Sequence, residues 1–201
     1  MSANKRMVGG ARAALVLVLA LATAGCISLG GDAPDELLTL TPTVSAPVGA
    51  GSTGRADAAL TVIEPTTSQA LNVTRVPVRV NDSALSYLAE AVWVEKPSQL
   101  FRALLAETIR ARGNRLVVGG GELEYAASTQ LSGQLVEMGY DVASGSALVR
   151  YDAVLALPGG EIRTRRFESA VPGIAPDAAV VGPALNQAAN QVAAEVADWV
   201  G

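Results

Sequence analysis

The stretch ALVRYDAVLALPGGEIRTRRFESAVPGIAPDAAVVGPALNQAANQVAAEVADWV (Ala147 to Val200) decides the fold. Its first part, Ala147 to Leu157, is rich in apolar and β-branched residues and reads as a strand. Pro158-Gly159-Gly160 is a turn signal. Glu161 to Ala170 then alternates, with Ile162, Thr164 and Arg166 on one face and Arg163, Arg165 and Phe167 on the other. After the breaker Pro172 to Asp177 the period changes. Val181, Leu185, Ala188, Val192, Val196 and Trp199 recur at steps of three or four, the stripe of a one-sided helix running to about Val200. Asp177 is its candidate N-cap. Adjacent strands followed by a long helix with one apolar face must bury sheet against helix, an α+β arrangement.

Upstream, the same signals repeat. Leu131 and Leu135 mark a strand before the loop Ala143-Ser144-Gly145-Ser146, so the chain from Ser128 to Ala170 reads as a meander. Pro97 to Arg112 places Leu100, Phe101, Leu104, Leu105 and Ile109 on one helical face and Arg102, Glu107 and Arg110 elsewhere. Pro97 and Ser98 suit its first turn and Gly113 its end. Ala59 to Pro65 is a first strand, and Thr74 to Val80 an edge or irregular one, because Pro77 lacks a donor. Asn81-Asp82-Ser83 turns the chain into Leu85 to Val94, completing a hairpin. Leu116 to Val118 is a short strand entering Gly119-Gly120-Gly121. No Lys-Ser or Lys-Thr follows those glycines, so they read as a turn, not a phosphate loop. The expected fold is α+β, an antiparallel β-sheet with two main α-helices on one face, and there is no internal repeat.

At the other end, Lys5, Arg6 and Arg12 precede an unbroken apolar run from Ala13 to Ala22, then Thr23, Ala24, Gly25 and the only cysteine, Cys26. A spanning helix needs roughly 20 apolar residues, so this shorter run reads as an export signal. The cysteine after Gly25 makes it resemble a bacterial lipobox, with Thr23 where leucine is usual. The resemblance implies cleavage after residue 25 and a lipid-bearing Cys26. An ordinary secreted signal with a free Cys26 and an uncleaved anchor are the alternatives. Ile27 to about Ala58 is rich in Gly, Ala, Pro, Ser and Thr and reads as a tether, with a coil reach of about 30 Å. Within it LLTLTP (Leu37 to Pro42) has the alternation of a short docked edge strand. The expected organisation is a signal over 1–25, a tether over 26–58 and one α+β domain over 59–201.

Composition narrows the function. Three of the 15 basic residues lie in the signal, which leaves 12 against 19 acidic ones, a net charge of −7. Nucleic acid is therefore a poor broad electrostatic partner. The absence of histidine removes a Ser-His-Asp or Cys-His arrangement and any His-bearing zinc site. With Cys26 lipidated there is no thiol nucleophile or disulfide. Asp141, Asp152 and Glu161 fall on separate elements with no supporting motif, so the expectation is a protein without catalytic residues, metal or cofactor.

The segment ALNVTRVPVRVNDSALSYLAEAVWVEKPSQLFRALLAETI (Ala70 to Ile109) resembles the signature region of the ABC-type transport auxiliary lipoproteins. There an Arg-hydrophobic-x-Val-Arg strand (Arg75 to Arg79) precedes a Tyr (Tyr87), a Trp (Trp93), a Pro (Pro97) and an amphipathic helix. Phe167 to Val200 is similar to that family's closing strand and helix. The family often has Arg just before the Trp; Val92 stands there here. The resemblance implies a non-enzymatic, lipid-anchored periplasmic subunit whose partners are an MCE-domain protein and ABC transporter subunits of a lipid transport system. Ile27 is not the aspartate that typically retains lipoproteins in the inner membrane, which points to the outer membrane. A lipid-carrying module, shielding an acyl chain between helix and sheet, is the alternative.

Tyr87 and Trp93 are candidate partner-binding residues, since aromatics with a polar handle are favoured at interface hot spots. The bland reading puts Trp93 in the core beneath the first helix. Arg163 and Arg165, beside Arg166, form the chain's basic cluster and could grip acidic residues or a lipid phosphate; a solvated strand face is the plainer reading.

Overall fold

The computed structural model describes residues 36–113, 115–119 and 127–201. The export signal, Cys26 and the Gly120-Gly121 part of the glycine turn lie outside them. In chain order the strands and helices are β1 (Leu60–Val62), β2 (Thr66–Thr67), β3 (Arg75–Asn81), β4 (Ala84–Val92), α1 (Pro97–Arg112), β5 (Val117–Val118), β6 (Thr129–Asp141), β7 (Ser146–Ala156), β8 (Ile162–Pro172) and α2 (Ala178–Val200).

The 13-residue β6 is the axis of the sheet. Along one edge it pairs antiparallel with β7, and β7 pairs antiparallel with β8, so the expected meander forms. Along its other edge it receives β1 (Leu60 opposite Thr129), β2 (Thr66 opposite Gln134) and β3 (Val78 opposite Tyr140), all parallel. β5 lies parallel beside β1, and β4 antiparallel beside β3. The sheet is thus mixed, where an antiparallel one was expected. The reason is connectivity. Hairpin turns give antiparallel neighbours, whereas β1 to β3 precede α1 and meet β6 only after the chain has crossed over through that helix. The register of β3 with β4 shifts between Arg75 and Pro77, and the extra residues lie on β4, where Glu90 takes a φ of 58°.

The α+β class and the placement of both helices on one face hold. Alternate residues of β7 (Ala147, Val149, Tyr151, Ala153 and Leu155) are buried, with Leu131, Leu135 and Met138 of β6 and Phe167 of β8. α1 contributes Leu100, Phe101, Leu104, Leu105 and Ile109, and α2 contributes Val181, Leu185, Ala188, Val192 and Val196. Phe101 meets Tyr151 edge-on with ring centres 5.2 Å apart, and Trp199 meets Phe167 likewise at 5.6 Å. Burial of each large side chain here contributes about 1.5–3 kcal/mol. Tyr151 keeps its hydroxyl satisfied by donating to the Ser132 carbonyl at 2.7 Å, and burial pushes its pKa upward. The Asp177 carboxylate accepts from Ala179 N at 2.8 Å, and Gly113 closes α1 at φ 71°, a left-handed value open to glycine at little cost.

Part of the expected tether is docked on the domain. Leu38 N donates to Val92 O at 2.7 Å and Val94 N to Leu38 O at 2.9 Å, so LLTLTP does dock beyond the end of β4. Leu40 is buried, and Leu38 packs over Gly182, where a Cβ would stand 2.6 Å from its methyl. Asn186 accepts from Thr41 N, Asn190 accepts from Thr43 N and donates to Thr41 O, and Glu107 accepts from Ala46 N. Residues 38–46 therefore form a strap across both helices. Composition hid this because the strap is held chiefly through its backbone, which any sequence supplies.

Candidate docking surface

The face of the sheet turned away from the helices is built by the other half of the same alternation. Register brings Glu137 of β6 opposite Arg150 of β7, and Arg150 opposite Glu168 of β8. Arg79 of β3 pairs with Glu137 from the far side, Glu137 with Arg150 at 2.7 Å, and Arg150 with Glu168. One row of charges thus alternates in sign across four strands. A second row is shorter: Arg166 grips Asp152 through two bonds of 2.6 Å. The guanidinium holds the Asp152 carboxyl below the usual carboxylate range, against a smaller opposing effect of burial.

Beside the first row, Leu71, Pro77, Leu85 and Leu148 wall a shallow groove whose polar rim is Arg79 and Glu137. Gly139 lies along it and is required there, because a Cβ would stand 2.3 Å from Pro77 O. The groove can accept an apolar side chain next to an ion pair. The space between helices and sheet is different: Phe101, Tyr151, Leu185 and Val192 fill it, at 0 % exposure each. An acyl chain shielded there would have to displace them.

The sequence-derived candidates do not converge on one site. Trp93 is 1 % exposed and belongs to the core, so it contributes to no outer surface. Its indole N–H meets no acceptor among the described residues. Tyr87 is half-buried on β4, donates to Ala70 O at 3.3 Å, and carries the Arg75 guanidinium 4.6 Å above its ring. Arg163 and Arg165 sit on exposed β8. Arg163 bonds Glu161 at 2.7 Å, while Arg165 lies 4.9 Å over the Phe167 ring with no carboxylate in reach among the described residues. Asp141, Asp152 and Glu161 each have a separate partner: Ser144, Arg166 and Arg163. Ser144 holds the Asp141 carboxyl low. Among the described residues no group of His, Cys, Asp and Glu is placed to hold a metal ion, and no helix is long and apolar enough to cross a membrane.

Two features were only partly legible in the sequence. The charge row was legible only in pieces, as Glu137 and Arg150 at similar distances from the Ala143–Ser146 loop. Asn186 and Asn190, four residues apart on an Ala-rich helix, were the signal for the strap.

Comparisons with known proteins agree with this architecture. Protein XCC0632 from Xanthomonas campestris, of the family DUF330, superimposes with a TM-score of 0.65 at 19 % identity, covering 82 % of this chain and 94 % of that one. A second crystal structure, of an uncharacterized protein, gives 0.63 at 14 % identity, covering 83 % and 100 %. At such identities the likeness establishes fold alone. No curated protein sequence matches. The family described as ABC-type transport auxiliary lipoprotein component matches residues 38–197, from the strap to the last turn of α2, and the chain belongs to that family.

Proposed function

We propose that the protein is a lipid-anchored, non-enzymatic accessory subunit of an MCE-type ABC lipid transport system, docking the transporter's periplasmic component at the outer membrane. The observation that carries this reading is the family match, which spans the whole folded domain and names a transport auxiliary lipoprotein. Lipidation of Cys26 would supply the anchor, since two or three acyl chains hold a protein at a bilayer stably where one does not.

The strap shapes how such an anchor works. With residues 38–46 clipped to the helices, the chain between Cys26 and Leu38 spans at most about 40 Å even fully extended. A domain joined only at Ala58 would have had more than twice that range. The anchored domain would therefore present its surfaces close to the membrane. Tyr87 with Arg75 stacked on it, and the groove beside Arg79, are the surfaces proposed for the partner.

The test is chemical crosslinking in intact envelopes, with the wild type beside Cys26→Ala and the captured proteins identified by mass spectrometry. Recovery of an MCE-domain protein or ABC subunits with the wild type, reduced in the variant, is the expected result. Absence of transporter components from both samples would overturn the docking role.

A further inference from the structure

The two long borders of the sheet are finished differently. The end of β4 is closed by Leu38, and β5 is only two residues long. β8 is an 11-residue strand paired with β7 along its whole length without a register shift, and among the described residues nothing pairs with its outer edge. Long, regular open edges are templates for another strand, and proteins ordinarily blunt them.

The geometry of this edge points to its partner. Leu157 N donates to Glu161 O, and at the other end of the ladder Gly173 N donates to Gly145 O. Because hydrogen-bonded and non-bonded pairs alternate, odd-numbered residues of β8 turn their N–H and C=O towards β7. Ile162, Thr164, Arg166, Glu168 and Ala170 turn theirs outward. The middle of the strand is Phe167.

We infer that β8 pairs antiparallel with β8 of a second copy of this chain, about a twofold axis at Phe167. In this register the two strands overlap from residue 162 to residue 172, and outward-facing residues meet outward-facing residues: Arg166 opposite Glu168, Thr164 opposite Ala170. Arg166 already holds Asp152 and Glu168 already holds Arg150 within each copy. The pairing therefore joins the two rows of the open face end to end. The row Arg79, Glu137, Arg150, Glu168 continues into Arg166 and Asp152 of the second copy, alternating in sign throughout. Neighbouring registers are penalised. A two-residue slip one way sets Arg166 against Arg166, the other way Glu168 against Glu168, and like charges directly opposite are destabilising. A one-residue slip sets outward-facing backbone groups against inward-facing ones. An arginine-rich edge would repel most strands, but this one carries Glu168 where its own copy needs it.

The experiment uses the full lipoprotein in detergent. Sedimentation equilibrium across the micromolar range should reveal a reversible dimer. Thr164→Pro removes an outward N–H while leaving the bonds to β7 intact, and should weaken the dimer about tenfold or more. A second variant keeps the idea falsifiable if that one misfolds. Arg165→Cys/Ser169→Cys places thiols opposite each other across the axis and should form a disulfide-linked dimer on mild oxidation. Arg163→Cys/Ser169→Cys, which needs the slipped register, should form it far more slowly. A monomer at all concentrations, a dimer indifferent to the proline in a folded variant, or equal crosslinking by both cysteine pairs would overturn the inference.

Discussion

The two faces of β6, β7 and β8 come from the same residues read in alternation, yet they respond to different physics. Where the helices cover it the inner face is apolar and closed: Tyr151, Leu135 and Phe167 are almost without exposure. The open face carries Glu137, Arg150, Asp152, Arg166 and Glu168, each partnered and each partly wet. Burial area sets stability on the first, while charge pairing on the second sets register and partner choice at small net energy.

The sharpest way to break this comparison is to truncate matched neighbours. Tyr151→Ala should cost about 3–5 kcal/mol in chemical denaturation, because it removes the ring under Phe101 and leaves a cavity. Arg150→Ala, one residue away on the other face, should cost about 1 kcal/mol or less. Equal losses would sink the division between faces. Gly139→Ala should cost about 1–3 kcal/mol, since Pro77 O blocks the new methyl and β3 must shift away from β6.

The strap gives the next effect. Asn190→Ala strands Thr43 N and Thr41 O and should cost about 1–2 kcal/mol, with faster hydrogen exchange confined to residues 41–46. Unchanged exchange there would mean that Leu38 and Leu40 alone hold the strap.

The smallest effect is in acid. Arg166 lowers the folded-state pKa of Asp152, so the pair contributes stability above the ordinary carboxylate pKa of about 3.9. That contribution falls away as pH drops through the lower, folded value. Asp152→Asn should therefore match the wild type at strongly acid pH and differ from it slightly near neutrality. A difference that persists at the acid end would show that the residue acts through packing rather than charge.

Amphipathic segments were the readable ones. α1, α2 and β8 carry their periodicity in contiguous residues, and Asp177, Gly113 and Pro97 mark ends by local backbone chemistry. Trp93 is the instructive case among the site candidates, because the sequence offered both a surface and a core reading for it. Only the packing of α2 and of Leu38 at that end of β4 decides for the core. Arg163 and Arg165 were legible as exposed, but their different partners, Glu161 and the Phe167 ring, depend on rotamers.

What the sequence determined by itself is whatever is encoded within about one turn or one hairpin: two one-sided helices, three hairpin-connected strand pairs, and a chain without histidine and with a single cysteine. What only the tertiary structure decided is what joins distant segments. β1, β2 and β3 run parallel along β6 because the crossover through α1 brings them together, and residues 38–46 lie across the helices because Asn186 and Asn190 meet them some 145 residues later. Such contacts leave little local pattern, since each partner is chosen by its position in the folded sheet and not by its neighbours in the chain.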